Sequence, residues 1–284
     1  MLPEIQLSEC TYIAAFLTLR CNYRCSYCIN RHGAFKPRHE MTAEEWITGL
    51  NRLCIDRSRM VPVTLQGGEP TVHPHWAEIV GGIKEELYLD MLTNLTFGLD
   101  EFCMAAPPSR WERDVPYAPI RASYHPEFSS YNDLLDKASK LQMLGYDVGV
   151  FVVEHPTVNA PSLKKKAEKY GVDFRTKELL GRYEGRLYGK YKYPEAVRGE
   201  RLGVTVECRT TELLIAPDGY IHRCHRDLYA GEHMVGHILD RDLKVEFKFR
   251  ECGFFGCCSE CDQKVKNDRF QRPNAISVQI MFDK

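Results

Sequence analysis

The run Leu19-Arg20-Cys21-Asn22-Tyr23-Arg24-Cys25-Ser26-Tyr27-Cys28 decides how the chain is read. Its cysteines are spaced C-x3-C-x2-C and follow Thr11 to Leu19, a β-branched and apolar stretch that reads as a buried strand. Three thiolates this close can reach one face of a cubic iron–sulfur cluster. A four-iron cluster ordinarily takes four cysteine ligands, so three leave one iron open to a substrate or cosubstrate. The plain alternatives are three reduced core cysteines or part of a zinc site, but zinc favours four ligands and C-x2-C pairs.

The next strand-like stretch, Val61 to Gln66, runs into Gly67-Gly68-Glu69-Pro70. Adjacent glycines permit positive φ and a close backbone approach to a ligand. The triplet after one strand and the glycine motif after the next, taken together, resemble the radical S-adenosylmethionine (SAM) superfamily over the larger, N-terminal part of the chain. The resemblance implies a [4Fe-4S] cluster on Cys21, Cys25 and Cys28 whose open iron chelates the methionine amino and carboxylate groups of SAM. Reductive cleavage of SAM then releases a 5′-deoxyadenosyl radical that abstracts hydrogen from a substrate. By the same resemblance Tyr27 packs against adenine, and Gly67, Gly68 and Pro70 form the turn that meets the methionine amino group. Glu69 is either a ligand contact or an anchor behind it, and Asn94 and Ser123 reach the ribose and carboxylate of SAM. Read as residues alone, Asn94 and Ser123 each end a strand and suit the capping of the following helix. His125 and Glu154 lie at comparable heights and either meet the substrate or, as residues of this kind more often do, cap loops.

Strand-like and helix-like stretches alternate outward from these motifs. Thr42 to Ile55 has Trp46, Leu50 and Leu53 at helical spacing, with a capping box in Thr42 and Glu45. His75 to Leu87 reads as a helix, Tyr88 to Thr93 and Ile120 to Tyr124 as strands, and Asn132 to Leu144 as a helix. Asp147 to Val153 is a strand, Ser162 to Tyr170 a helix and Val172 to Lys177 a sixth strand. Such repeats predict an α/β fold with a parallel sheet. The candidate residues fall at strand C-termini, where parallel barrels carry their sites. A partial (β/α)6 barrel over residues 1–181, a linker over 182–201 and a small hairpin-containing cluster module over 202–284 are expected.

In that last stretch Leu213 to Ala216, Pro217-Asp218-Gly219 and Tyr220 to His222 spell a hairpin. Cys208, Gly219 and Cys224 fit C-x10-G-x4-C, and Cys252, Cys257, Cys258 and Cys261 follow. This resembles the twitch module, the short form of the SPASM extension, and implies a second, auxiliary [4Fe-4S] cluster on Cys208, Cys224, Cys258 and Cys261. Cys252 and Cys257 are alternates in that set. By count alone four cysteines suit tetrahedral zinc equally. Cys10, Cys54 and Cys103 read as small buried hydrophobes, and most of His222, His225, His233 and His237 as surface or loop histidines, with one open to tuning the auxiliary cluster through a hydrogen bond.

The chain has 284 residues, 12 cysteines and a formal net charge of −1, which gives no bulk attraction to nucleic acid or anionic lipid. The N-terminus lacks the basic start and apolar stretch of a signal peptide, and no run approaches the ~20 apolar residues of a membrane span. A cytoplasmic protein with reduced, metal-ligating cysteines is expected. The resemblance implies a radical SAM enzyme served by a flavodoxin- or ferredoxin-like electron donor. The first strand begins near Thr11, which leaves no room ahead of it for a leader-peptide-binding domain, so a small-molecule substrate is expected. The alternatives are a maturase of a ribosomal peptide and, from another class, a non-catalytic iron–sulfur or zinc electron-transfer or binding protein.

Overall fold

The computed structural model describes residues 2–28, 30, 37, 39–179, 181–189, 205–254 and 278–282. Six parallel strands form its centre: β1 (Tyr12–Thr18), β2 (Val63–Gly67), β3 (Leu89–Thr93), β4 (Ile120–Tyr124), β5 (Val148–Glu154) and β6 (Asp173–Glu178). Helices α1 (Ala43–Leu50), α2 (Trp76–Gly82), α3 (Leu99–Ala105), α4 (Tyr131–Met143) and α5 (Ala160–Lys169) follow the first five strands in turn.

Alternate strand residues face opposite sides. Ile13, Ala15 and Leu17 of β1, Val63 and Leu65 of β2, and Val148, Val150 and Val152 of β5 join Trp46, Ile79, Phe102 and Leu135 of the helices in one core. The opposite, inner face is apolar along β1, where Ala14 and Phe16 pack in a second cluster with Leu214 and Leu228, and polar further along the sheet. It carries Thr64 and Gln66 of β2, Asp90 of β3, and Arg121 and Ser123 of β4. Asp90 is fully buried and bridges Arg113 at 2.5 Å and Arg121 at 3.1 Å, and it accepts from the Tyr117 hydroxyl at 2.9 Å.

Local signals set most boundaries. The Thr42 hydroxyl accepts from the Glu45 N–H at 3.2 Å, and the Glu45 carboxylate from the Thr42 N–H at 2.8 Å, so the expected capping box starts α1. The helix stops at Leu50, short of Ile55. Asn51 turns away to bond the Gly82 carbonyl and the Lys84 N–H, and Leu53–Cys54 pairs with Ile5–Gln6. Helix α2 likewise stops at Gly82, because the pair Gly81-Gly82 weakens it. The short α3 has no expected counterpart: seven residues ahead of two prolines show little periodicity.

The C-terminal part begins with β7 (Val206–Thr210), which runs into β8 (Glu212–Ile215), β9 (Tyr220–His222), α6 (His225–Ala230) and β10 (Met234–His237). The β8–β9 hairpin is as expected; its turn glycine, Gly219, takes φ 80° and donates to Ala216 O at 2.9 Å. Strand β8 lies parallel beside β1, with Glu212 opposite Tyr12. One nine-stranded sheet results, ordered β10-β9-β8-β1-β2-β3-β4-β5-β6. Its edges, β6 and β10, stay unpaired to each other, so the barrel is open. Strands β11 (Arg250–Cys252) and β12 (Val278–Phe282) flank β7 in a small antiparallel sheet. Among the described residues no helix is long and apolar enough to cross a membrane.

Candidate functional site

Strand β1 delivers the cysteine loop to the C-terminal rim of the sheet. Cys25 is buried, Cys28 half-buried and Cys21 exposed, and none is in a disulfide. The Cys28 N–H donates to Cys25 O at 3.2 Å, and the Tyr23 N–H donates to Cys21 Sγ at 3.3 Å. Burial, and then the negative charge of Cys28, pushes the Cys25 thiol up to about 11. Burial, with Glu69 and Cys28 adding charge, raises the Cys21 thiol too. Three mutually repelling sulfurs become favourable as thiolates only around a cation. Soft donors in this arrangement fit an iron–sulfur cluster.

The glycine motif grips that loop directly. The Gly68 N–H donates to Thr18 O at 2.8 Å and the Glu69 N–H to Arg20 O at 2.9 Å. A Cβ on Gly68 would sit 2.1 Å from Arg20 O, and one on Gly67, whose φ is 142°, would sit 2.0 Å from Thr18 O. The close approach these glycines permit is therefore to the chain's own backbone just ahead of Cys21. The Asn30 amide caps the Gly67 carbonyl at 2.6 Å from the far side of the triplet.

Glu69 is 1% exposed and is wholly engaged within the protein. Its carboxylate accepts from the Thr71 N–H and hydroxyl, from the Thr93 hydroxyl at 2.9 Å and from the Asn94 N–H at 2.6 Å. Burial raises its pKa against the pull of these donors. Of the two roles left open by the sequence, its contacts are those of an anchor. Asn94 is committed too: its Nδ2 donates to Asn22 Oδ1 at 2.8 Å and its Oδ1 accepts from the Thr96 hydroxyl at 2.6 Å. Asn22 in turn donates to Thr96 Oγ1 at 2.9 Å. The ends of β1, β2 and β3 are thus laced together around the cysteines.

Tyr27 lies across the ends of β4 and β5. Its hydroxyl is 3.2 Å from His125 Nδ1, and its ring stacks on His125 and meets His155 at 5.4 Å. Burial holds the His125 imidazole down to about 4. Glu127, beyond β4, accepts from the Ser26 N–H at 2.8 Å and from the Ser26 hydroxyl. Ser123 is half-buried on β4, opposite Phe151. Glu154 is exposed at the end of β5.

In the C-terminal part Cys208, Cys224 and Cys252 are half-buried, whereas Cys257, Cys258 and Cys261 lie outside the described residues. A hydrogen bond from Cys208 is the first cause that lowers the Cys252 thiol, to about 6. His222 and His225 are buried rather than superficial, at 1% and 7% exposure. His222 Nδ1 lies 2.8 Å from Glu232 O, and His225 Nδ1 lies 3.3 Å from Glu212 Oε2. Their positions on β9 and at the start of α6 turn them inward. Cys10 is buried, while Cys54 and Cys103 are half-buried.

Asn22, Thr93, Thr96 and Glu127 brace the site without having stood out in the sequence. Asn22 follows the first cysteine, and Thr93 ends a strand beside Asn94. Glu127 had no local signal, because its partner Ser26 lies about a hundred residues away.

Residues 16–116 match the family described as the Radical SAM superfamily. Over 90 residues the chain is 36% identical to molybdenum cofactor biosynthesis protein 1 of Drosophila melanogaster, covering 31% of this chain and 16% of that protein. Over 90 residues it is 34% identical to GTP 3′,8-cyclase of Brucella ovis, covering 30% of this chain and 25% of that protein. The match thus spans a quarter or less of these curated relatives. The solved structure of native anSMEcpe with bound AdoMet aligns with a TM-score of 0.56 at 12% identity, over 84% of this chain and 79% of that one, a likeness of fold. The residues that match this superfamily, 16–116, are the ones that build the strands and turns around the cysteine loop.

Proposed function

We propose that the protein is a radical SAM enzyme acting on a small molecule, with an auxiliary iron–sulfur cluster that aids oxidation or bond formation. The observation that carries this reading is the braced loop of Cys21, Cys25 and Cys28 at the rim of an open barrel whose inner face carries polar residues on β2 to β4. A [4Fe-4S] cluster with bound SAM supplies, through reductive cleavage, the radical that abstracts hydrogen from substrate. The three cysteines hold that cluster. The backbone of Gly67 to Pro70 sets the distance between the cysteine loop and β2, and Glu69 and Asn94 keep that distance constant. Tyr27, Asn94 and Ser123 lie on the rim where the adenosyl group would be oriented.

Gln66 and Ser123, on the inner face below, suit a polar small molecule held away from water. The exposed side of the loop at Cys21 suits the approach of a flavodoxin- or ferredoxin-like donor. The likeness to proteins named GTP 3′,8-cyclase supports this chemistry over its 90 residues without selecting a substrate.

Anaerobically reconstituted and reduced protein should convert SAM to 5′-deoxyadenosine and methionine, and Cys25→Ala should abolish the conversion. Cleavage by Cys25→Ala at the wild-type rate would remove the assignment. Two clusters bring iron to about eight atoms per chain. Changing Cys258 and Cys261 together to Ala should lose the second cluster and stop substrate turnover while SAM is still cleaved.

A further inference from the structure

The small antiparallel sheet distinguishes among the surplus cysteines. Val206 of β7 stands opposite Cys252 of β11, and Cys208 stands opposite Arg250. Residues two apart share a face, so Cys208 and Cys252 are diagonal neighbours. Both pack on Val206 together with Ile280. Cys224 is drawn to the same place through the residue before it. Arg223 O accepts from Thr210 Oγ1 at 2.7 Å, two residues beyond Cys208, and Arg223 Nη1 donates to Glu251 O at 3.0 Å, one residue ahead of Cys252. The guanidinium is fixed by Asp227 at 2.7 Å.

We infer that Cys252 joins Cys208 and Cys224 as the third thiolate of the auxiliary iron–sulfur centre, and that Arg223 is the resident cation beside it. This rests on the reading that the C-terminal cysteines hold such a centre. It departs from the ligand set of Cys208, Cys224, Cys258 and Cys261 by placing Cys252 in it. A guanidinium stays charged at every working pH, and a fixed positive charge beside a thiolate-ligated cluster favours its reduced form. Arg223 therefore acts as a positioning residue, through its two backbone bonds and its charge.

The test isolates the auxiliary centre by changing Cys21, Cys25 and Cys28 together to Ala. That protein, reconstituted anaerobically, should hold about four irons per chain and give an electron paramagnetic resonance signal on reduction. Adding Cys252→Ser should alter that signal and lower the iron content, whereas adding Cys54→Ser should change neither. With Cys252 unmutated, its thiol should resist alkylation while iron is bound and react after chelation. Arg223→Gln should keep the iron and shift the midpoint potential negative, with Arg223→Lys restoring most of it. An unchanged signal and iron content in Cys252→Ser, alkylation indifferent to iron, or an unmoved potential in Arg223→Gln would overturn the inference while leaving an auxiliary cluster in place. A triple-alanine protein that binds no iron, or binds zinc instead, would overturn the auxiliary-cluster reading itself.

Discussion

The Glu69 carboxylate and the Asn94 N–H are 2.6 Å apart, and that bond joins the turn after β2 to the end of β3. It makes the glycine motif part of the scaffold that carries the cysteine loop. Replacing Glu69 by Gln removes the charge and places an amide donor among two backbone N–H groups and two hydroxyls that donate to the carboxylate. A stability loss of about 2–3 kcal/mol is expected from charge-assisted bonds lost in a buried site. Denaturant unfolding measures it, together with the iron retained after reconstitution. Wild-type values for both would show that Glu69 is dispensable as an anchor.

Gly68→Ala tests the grip on the cysteine loop. The added Cβ meets Arg20 O at 2.1 Å, a backbone atom that cannot rotate away. The expected outcome is a loss of about 1–3 kcal/mol from overpacking and poor iron incorporation, since Cys21 follows Arg20 directly. Gly98→Ala is the control, because a Cβ there makes ordinary contact with Glu101 at 3.9 Å. Equal iron content in the two variants would contradict the clamp.

Asp90 is the carboxylate shared by Arg113 and Arg121 inside the barrel. Asp90→Ala leaves two buried guanidiniums without it, and a cost of about 3–5 kcal/mol is expected. Asp90→Asn should cost less, because an amide oxygen still accepts. Thermal and denaturant unfolding distinguish these outcomes, and equal destabilisation by the two changes would argue against the ionic account.

His125 gives a pH dependence whose sign follows from burial. Its folded pKa is held down to about 4, below the ordinary value of about 6.5. The unfolded chain therefore binds the extra proton first as pH falls. Stability from this group is fully present above about pH 6.5 and is lost as pH falls toward about 4, by roughly 3 kcal/mol at the lower end. Unfolding midpoints of wild type and His125→Gln across that window measure the difference. A slope unaffected by the substitution would place the dependence on another group.

Much of this protein is settled by local sequence. Alternation of apolar residues sets the strands, and Ile120–Tyr124 and Tyr220–His222 fall where their residues place them. Thr42 and Glu45 specify their own capping box, and Pro217-Asp218-Gly219 specifies a turn, because each signal needs only neighbours a few residues away. The spacing of Cys21, Cys25 and Cys28 is likewise a local property.

Tertiary structure decided whatever depends on partners far along the chain. Strand β8 joins the main sheet beside β1 through contacts such as Thr11 with Thr211, at 2.7 Å. Glu69 became an anchor only when β3 brought Thr93 and Asn94 to it, and the obstacle at Gly68 is the backbone of another strand's exit. Cys252 came beside Cys208 through strand register across more than forty residues, a choice that spacing left open among several cysteines. A periodic pattern encodes which face of an element is buried. It does not encode what that face will meet, because pairing, register and burial of polar groups are settled by packing of the whole chain.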